Sequence, residues 1–271
     1  MPTIAQSLTQ ALVMGVDRLD AQLVLAHVLA RPRSWLIAHD DAVLDAPQAD
    51  AVQAAFTRRA AGEPLAYLLG EKEFHGLLLR VDANVLIPRP DTEVLVDWAL
   101  ELLVGMAAAP RVVDLGTGSG AIALTVKRGH PEATVLATDI SPAALGVAHA
   151  NAQRLGLDVT FTQSAWWAAL GDQRFDLVLS NPPYIAGGDP HLAALRHEPG
   201  LALTPGGDGL DALREIVSGA APHLAPGAWL LLEHGYDQAE AVHALLHAHG
   251  FKGIATRRDL GDQARCTGAH R

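Results

Sequence analysis

Cysteines, basic residues and long apolar runs are scarce in this chain of 271 residues. Cys266 is the only cysteine, which excludes an internal disulfide framework and a zinc site built from several cysteines. No stretch approaches the ~18 uncharged apolar residues that a membrane span needs. The first residues have neither the basic start nor the sustained apolar core of a secretory signal. We therefore expect a soluble, cytoplasmic protein.

The deficit of basic residues argues against some classes of substrate. The chain has 20 Lys and Arg against 30 Asp and Glu, a formal net charge of −10, so its average field repels a phosphate backbone. Nucleic acid is therefore disfavoured as the main substrate. Its 49% hydrophobic and 18% charged residues are typical of a folded globular protein. We expect a monomer with one large and one small domain.

The first part of the chain has the spacing of helices, and the next part does not. Residues 1–72 are rich in Ala and Leu and are punctuated by Pro32, Pro47 and Gly62-Glu63-Pro64, which predicts a small helical domain that recognises the substrate. Two extended runs at 73–81 and 84–88 predict a hairpin connector over 73–90. A helix is expected to begin near Pro90-Asp91-Thr92-Glu93.

Residues 91–271 have the pattern of an α/β domain. After a break at 107–110, apolar runs alternate with helical stretches, which predicts a mostly parallel sheet with helices on both faces. The last two runs, 253–260 and 264–271, should add a reversed pair of strands at one edge. Ligands of such sheets lie beyond the carboxyl ends of the strands. The runs that precede the expected site are RVVDL (111–115), TVLATD (134–139), VTFT (159–162), FDLVLS (175–180) and AWLLLEH (228–234).

A glycine-rich turn follows the first of these strands. Its residues Gly116, Thr117, Gly118, Ser119 and Gly120 precede a helical stretch, and such a turn lets the backbone approach a ligand at a helix N-terminus. The next strand ends at Asp139, whose carboxylate can accept hydrogen bonds from two ribose hydroxyls. These features predict a cofactor that contains adenosine. They do not distinguish a dinucleotide from S-adenosylmethionine.

The segment Ser180-Asn181-Pro182-Pro183-Tyr184 predicts the chemistry. If the Asn181 side-chain oxygen and the Pro182 carbonyl accept the two N–H bonds of a planar amide, its weakly nucleophilic nitrogen is aligned with a methyl sulfonium. Tyr184 can stack on the flat amide. An N6-adenine DNA methyltransferase would use the same geometry, but it also needs a positively charged groove to hold a flipped base.

The chain resembles the HemK/PrmC family of peptide chain release factor glutamine methyltransferases over nearly its whole length. The motif VLIPRPDTE is less similar to the related ribosomal-protein glutamine methyltransferases, which remain an alternative. The matching segments are DAQLVLAHVL (20–29), GEPLAYLLGEKEFHGL (62–77), VLIPRPDTE (85–93), DLGTGSGAIAL (114–124), SNPPYI (180–185), GGDGLD (206–211) and LLLEHG (230–235).

The resemblance implies a Rossmann-like class I methyltransferase fold and assigns roles to single residues. It implies that Gly116–Gly120, Asp139 and Asn181 contact S-adenosylmethionine and that Trp166 contacts its adenine. It also implies that Asn181–Tyr184 bind the glutamine of the Gly-Gly-Gln motif in class I release factors. Asn181, Pro182 and Tyr184 are the expected catalytic residues. Ala165 stands where the family usually has an acidic residue, so a contact to the adenine amino group is missing or replaced.

Other polar residues carry no defined role in the sequence. His243, His247 and His249 share one predicted helix, where a solvated face is favoured over a metal site because no carboxylate motif accompanies them. Arg89 and Glu93 belong to a family signature that serves either substrate docking or the domain junction. Glu198-Pro199 and Glu233-His234 are expected only near the rim of the cleft.

Overall fold

The computed structural model describes residues 1–106 and 109–271, which form two compact units, residues 1–71 and 72–271. The predicted break at 107–110 lies partly outside the described residues. Within the described part of the chain, no helix combines the length and the apolar character that crossing a membrane requires.

The first unit is helical, as the sequence predicts. Its helices are α1 (Ile4–Val13), α2 (Arg18–Leu29), α3 (Arg33–Ala38), α4 (Ala46–Ala60) and α5 (Leu65–Leu69). Thr3 and Asp45 form capping boxes at the starts of α1 and α4. Pro32 and Pro64 directly precede α3 and α5, and Pro47 lies in the first turn of α4, where proline costs no hydrogen bond. The core of this unit includes Ile4, Leu25, Leu36, Leu44 and Phe56.

The predicted hairpin is shorter than the sequence suggests. Strands β1 (Glu71–Phe74) and β2 (Leu77–Arg80) pair across a turn in which His75 and Gly76 have positive φ. The Glu93 carboxylate accepts a hydrogen bond from the His75 backbone at 3.1 Å, so Glu93 orders this turn. The extended run at 84–88 forms no strand, and that prediction is wrong. Its Ile87 N–H is bound by the Glu198 carboxylate at 3.1 Å and not by a neighbouring strand.

The second unit is built on one seven-stranded sheet in the order β5-β4-β3-β6-β7-β9-β8. Neighbours among β3–β7 are parallel, and helices connect most of them. The chain passes from β3 outward to β4 and β5, and then returns to β6 on the other side of β3. The carboxyl ends of β3 and β6 therefore meet at a topological switch point, where such sheets bind ligands. The elements are α6 (Glu93–Val104), β3 (Arg111–Leu115), α7 (Ala121–Gly129), β4 (Thr134–Asp139), α8 (Pro142–Leu155), β5 (Thr160–Gln163), β6 (Phe175–Ser180), α9 (Asp211–Gly219), β7 (Leu224–Glu233), α10 (Ala239–Ala248), β8 (Lys252–Arg258) and β9 (Ala264–His270).

One edge of the sheet differs from the expectation of a reversed pair of strands. Strand β9 is antiparallel to both of its neighbours, β7 and β8, so β8 has the same direction as β7 and only β9 is reversed. A helix precedes β8, which lets the chain re-enter the sheet in the parallel direction, and the short turn after β8 then returns β9 between them. Cys266 lies in β9 opposite Glu233 and is fully buried.

The central strands carry apolar side chains to both faces of the sheet. Val112 and Leu177 belong to the core on one face, while their neighbours Val113 and Val178 belong to the core on the other. Such continuous apolar runs are typical of a parallel strand that is covered on both sides. This packing supports the turns that follow β3, β4 and β6.

Candidate functional site

The turn between β3 and α7 contains three glycines with positive φ, Gly116 at +77°, Gly118 at +54° and Gly120 at +85°. Side chains other than glycine rarely adopt this conformation, which explains the glycine-rich sequence. A Cβ on Gly120 would lie 2.9 Å from Leu124, so this glycine allows close packing. A Cβ on Gly118 would meet nothing within 4 Å, so this backbone faces open space.

Asp139 links the end of β4 to the glycine turn. One carboxylate oxygen accepts the Gly118 N–H at 2.9 Å, and the other accepts the Ser141 N–H at 2.9 Å. Burial raises the pKa of Asp139, and these backbone hydrogen bonds act in the opposite direction. Each oxygen of a carboxylate accepts about two hydrogen bonds, so both retain capacity for a ligand.

Trp166 follows β5 and packs over the glycine turn. Its indole ring comes within 3.4 Å of the position that a Cβ on Gly116 would occupy, so a side chain there would press on the ring. The backbone of Trp166 itself has a φ of +46°, an unusual conformation for a large side chain. The next residue, Trp167, serves packing, since it stacks on His223 and donates a hydrogen bond to the Ile216 carbonyl at 3.0 Å.

These elements surround a cavity of about 370 Å³ in the second unit. The predicted residues that line it are Gly116, Thr117, Gly118, Ser119, Asp139, Trp166, Asn181 and Pro183. Gly120, Pro182 and Tyr184 are not among its lining residues. Ala165, Leu201 and Asp211 also line the cavity, although the sequence does not single out the last two.

Asn181 stands at the carboxyl end of β6, beside the end of β3. The Ser180 hydroxyl donates a hydrogen bond to the Leu115 carbonyl at 2.7 Å, which ties the ends of the two strands together. The Asn181 side-chain nitrogen Nδ2 donates to the Thr92 hydroxyl at 3.2 Å. The other end of the same amide is the oxygen Oδ1, which can accept a hydrogen bond from a donor in the cavity.

Tyr184 is mostly buried, and its hydroxyl donates to the Glu233 carboxylate at 3.2 Å. Burial and the nearby Glu233 charge both raise the pKa of this phenol, which keeps it protonated as a donor. The stacking of Tyr184 on a substrate amide stays a prediction, because this ring lies beside Glu233.

Glu233 is a site residue that the sequence left without a role. It ends β7, is 1% exposed, and contacts Tyr184 directly. Burial raises the pKa of Glu233 to about 7, and the side chains of Thr92 and Tyr184 oppose that shift. Its Oε2 atom has no hydrogen-bond partner within the described residues. A carboxylate at the end of a continuous apolar strand is the sequence signal that marks such a residue.

The backbone after Asn181-Pro182-Pro183-Tyr184 is held from two sides. Gln238 donates a hydrogen bond to the Tyr184 carbonyl at 2.9 Å, and Ile185 donates to the Leu203 carbonyl at 3.0 Å. A Cβ on Gly209 would lie 2.3 Å from the Tyr184 oxygen, so only glycine fits there. The segment GGDGLD (206–211) thus packs directly against the end of Asn181–Tyr184, which we call the acceptor segment.

Arg89 and Glu198 form an ion pair in which the Glu198 carboxyl group is buried. The same carboxylate accepts the Ile87 N–H at 3.1 Å. Arg89 and the neighbouring Pro88 line the cavity, and so does Pro199, the neighbour of Glu198. This ion pair therefore ties together two parts of the cavity wall that are distant in sequence.

Asp114 lies below the glycine turn and is fully buried. It accepts a hydrogen bond from the Thr117 hydroxyl at 2.6 Å, while its Oδ1 atom has no partner within residues 1–106 and 109–271. Burial raises the pKa of Asp114 to about 7. A buried carboxylate of this kind favours a nearby positive charge.

The histidines near the C-terminus, His243, His247 and His249, are the ones that the sequence offers as a possible metal site. No group of three or more His, Cys, Asp or Glu with the arrangement of a metal site occurs in the part of the chain that the structure describes. His249 bonds the Leu245 carbonyl at 2.9 Å near the end of α10 and is exposed.

Comparison with known proteins is consistent with this geometry. The family models that match are the PrmC N-terminal domain over residues 3–70 and the methyltransferase small domain over residues 92–210. The release factor glutamine methyltransferase of Bordetella pertussis is 52% identical over 259 residues, 94% of this chain and 96% of that protein. That of Xylella fastidiosa is 49% identical over 264 residues, 96% of each chain.

Solved structures give the same architecture. The T. thermophilus 16S rRNA N2 G1207 methyltransferase, in complex with AdoMet and guanosine, superposes with a TM-score of 0.56 at 21% identity, covering 74% of this chain and 49% of that one. This likeness supports the fold alone. The identity to full-length relatives goes further, and the chain belongs to the release factor glutamine methyltransferase family.

Proposed function

We propose that this protein transfers a methyl group from S-adenosylmethionine to the side-chain amide nitrogen of the glutamine in the Gly-Gly-Gln motif of class I release factors. The observation that carries the proposal is Asn181, which lines the cavity beside the glycine turn while its Nδ2 is bound by Thr92. The names of full-length relatives support the same reaction and partner.

The cofactor is assigned to the glycine end of the cavity. The open space at Gly118 admits a ligand against the backbone, and the Asp139 oxygens retain capacity for two ribose hydroxyls. Trp166 offers an aromatic surface for adenine, and Thr117 and Ser119 also line the cavity. Gly120 ends the turn at the start of α7. When bound, S-adenosylmethionine supplies a methyl group on a sulfonium, which is a strong electrophile.

The substrate amide is assigned to Asn181–Tyr184. An amide nitrogen is a poor nucleophile, because its lone pair is delocalised into the carbonyl. The Asn181 Oδ1 and the Pro182 carbonyl would accept its two N–H bonds, align the nitrogen with the methyl carbon and stabilise its developing positive charge. In this alignment the N–C bond would form as the C–S bond breaks and the sulfur leaves as a neutral thioether. The nitrogen would then lose one of its protons to water. Pro183 and Tyr184 keep these acceptors rigid.

The partner is assigned to both units. A single glutamine offers too few contacts to distinguish it from other glutamines, so residues 1–72 are proposed to bind the body of the release factor, with residues 73–90 as connector and 91–271 as the catalytic domain. Release factors work on the ribosome, so the proposed compartment is the cytoplasm, and the proposed oligomeric state is a monomer.

Mass spectrometry of a purified release factor, after incubation with this protein and S-adenosylmethionine, tests the proposal. We expect the mass of one methyl group to be added at the glutamine of Gly-Gly-Gln. Asn181→Ala should lower kcat by about 100-fold or more, because an acceptor at the reacting nitrogen is lost. Methylation of a different glutamine, of duplex DNA or of a ribosomal protein in place of the release factor would refute it.

A further inference from the structure

Thr92 lies between the acceptor asparagine and a buried carboxylate. It is 4% exposed, follows Asp91 in the short turn before α6, and lines the cavity. Its hydroxyl accepts the Asn181 Nδ2 hydrogen bond at 3.2 Å. Thr92 also lies close enough to the Glu233 carboxyl group to stabilise its charged form, and the Glu233 Oε2 atom has no hydrogen-bond partner within the described residues. Glu233 therefore reaches Asn181 through a single side chain.

The direction of these hydrogen bonds determines which end of Asn181 faces the cavity. A threonine hydroxyl has one hydrogen to donate. If that hydrogen is directed to the Glu233 carboxylate, Thr92 offers only lone pairs to Asn181. The Asn181 NH₂ group must then face Thr92, and Oδ1 must face the cavity. If Thr92 instead donated to Asn181, the amide would turn over and present two N–H donors to a substrate N–H bond, which is repulsive.

Glu233 also contacts the other end of the acceptor segment. It accepts the Tyr184 hydroxyl at 3.2 Å, so one carboxylate is connected to both the first and the last residue of Asn181–Tyr184. Its own position is determined by β7, whose end is paired with β9 opposite Cys266. The carboxylate therefore belongs to the rigid sheet and not to a loop.

We infer that Glu233, acting through Thr92, sets the orientation of the Asn181 amide so that its oxygen accepts the N–H bond of the substrate glutamine. Thr92 and Glu233 are thus positioning residues for methyl transfer. This inference rests on the proposed function, because it gives Asn181 the role of an acceptor.

The charges around Glu233 give the inference a pH dependence. The groups that face it are Asp91 from the turn before α6, Tyr184 after β6, and Arg265 and Cys266 from β9. Burial raises the pKa of Glu233 to about 7. Below that pH the carboxyl group carries a proton, and it can donate to Thr92 and allow the hydroxyl hydrogen to turn to Asn181. The orienting effect is therefore present above pH ~7 and decreases as the pH falls.

Three threonine variants of the full-length protein test the inference. Thr92→Val removes the hydroxyl with little change of shape, and Thr92→Ser keeps it. Thr125→Val removes a buried hydroxyl that donates within its own helix, α7, to the Ala121 carbonyl at 2.7 Å. On a release factor at pH 8, we expect Thr92→Val to lower kcat by about tenfold or more. Thr92→Ser should stay within about threefold of wild type, and Thr125→Val should change thermal stability only. Calorimetry should give all three the wild-type affinity for S-adenosylhomocysteine.

Glu233→Gln supplies a second test that does not depend on Thr92. Its NH₂ group can donate to Thr92, so we expect kcat at pH 8 to fall and its decrease between pH 8 and 6 to flatten relative to wild type. The inference is overturned if Thr92→Val keeps wild-type kcat, or if Thr92→Ser is as impaired as Thr92→Val. Failure of the wild-type protein to methylate any release factor would instead overturn the proposed function, and the inference with it.

Discussion

Two glycines of the turn after β3 are required for different reasons. Gly120 favours glycine because its φ is +85° and because a Cβ would press on the side chains of Leu124 at 2.9 Å and Ala148 at 3.3 Å, which is a packing requirement of α7. Gly118 has open space before it and lines the cavity, so a side chain at this position would compete with the proposed cofactor and not with the protein. Substitution of Gly118 should therefore separate an effect on cofactor binding from an effect on stability.

We expect Gly118→Ala to fold and to lose affinity for S-adenosylmethionine by at least about tenfold, because the new methyl group occupies space at the proposed cofactor site. Its backbone strain should cost roughly 1–2 kcal/mol. Gly156→Ala is the matched control, since Gly156 also has positive φ with nothing within 4 Å but ends α8 away from the cavity. Isothermal calorimetry and thermal unfolding would check both. Equal affinities in the two variants would contradict the cofactor assignment.

Asp114 should make the stability of the free protein depend on pH. Its pKa of about 7 in the fold is above the ordinary value, so the folded state binds more protons than the unfolded state between these two values. Stability therefore decreases as the pH rises from ~4 to ~7, by up to roughly 4 kcal/mol. In Asp114→Asn this part of the slope should disappear.

Thermal unfolding at several pH values between 5 and 8 would measure the effect of Asp114. Asp158→Asn, at an exposed aspartate, is the control and should keep the wild-type slope. Glu233 contributes a slope of the same sign, so some pH dependence should remain in Asp114→Asn. An unchanged slope in Asp114→Asn would show that this carboxyl group keeps an ordinary pKa in the fold.

At the scale of elements, the segment from 200 to 210 supports the acceptor segment. Gly209→Ala would bring a Cβ within 2.3 Å of the Tyr184 carbonyl oxygen, and the chain after Asn181 would have to shift. We expect kcat to fall by about tenfold or more while affinity for S-adenosylmethionine stays within a factor of about two. Gly206→Ala, with φ of +85° and nothing within 4 Å, should keep near-wild-type kcat. If both variants lose the same activity, loop strain and not the close approach is responsible.

The order of strands and helices is readable from the sequence where the apolar pattern is continuous. The runs that become β3, β4 and β6 are bounded by turn residues, and their carboxyl ends carry the glycine turn, Asp139 and Asn181, as predicted. The direction of a strand at the sheet edge is harder to predict, because the sequence pattern of a strand is the same in a parallel and in an antiparallel arrangement. The parallel direction of β8 depends on the helix before it, and the absence of a strand at 84–88 depends on Glu198, more than 100 residues away.

The candidate site likewise contains features that are local in the sequence and features that depend on distant residues. Residues adjacent in sequence, such as Gly116–Gly120 and Asn181–Tyr184, form recognisable motifs. Thr92 and Glu233 also lie in segments that match the family, VLIPRPDTE and LLLEHG. Their contacts with Asn181 and Tyr184, however, arise only through the fold. Hydrogen bonds between residues that are distant in sequence leave no local pattern to read.

At the scale of the whole molecule, the two units should separate catalysis from partner recognition. Residues 72–271 contain both apolar cores that flank the sheet, so deletion of residues 1–70, which keeps β1 intact, should leave a folded methyltransferase. We expect kcat/KM on an intact release factor to fall by about tenfold or more, because remote binding energy is lost. On a short Gly-Gly-Gln peptide it should be unchanged. An equal loss on both substrates would contradict a recognition role for the first unit.

The burial of the single cysteine has a practical consequence for spectroscopy. Cys266 is inaccessible in β9, and burial raises the pKa of its thiol well above the ordinary value, so maleimide reagents, which attack the thiolate, should leave it unmodified. No native cysteine then has to be removed before labelling. Dyes attached to Val13→Cys in the first unit and Leu260→Cys in the second, both at exposed positions, would test by energy transfer whether a release factor alters the distance between the two dyes.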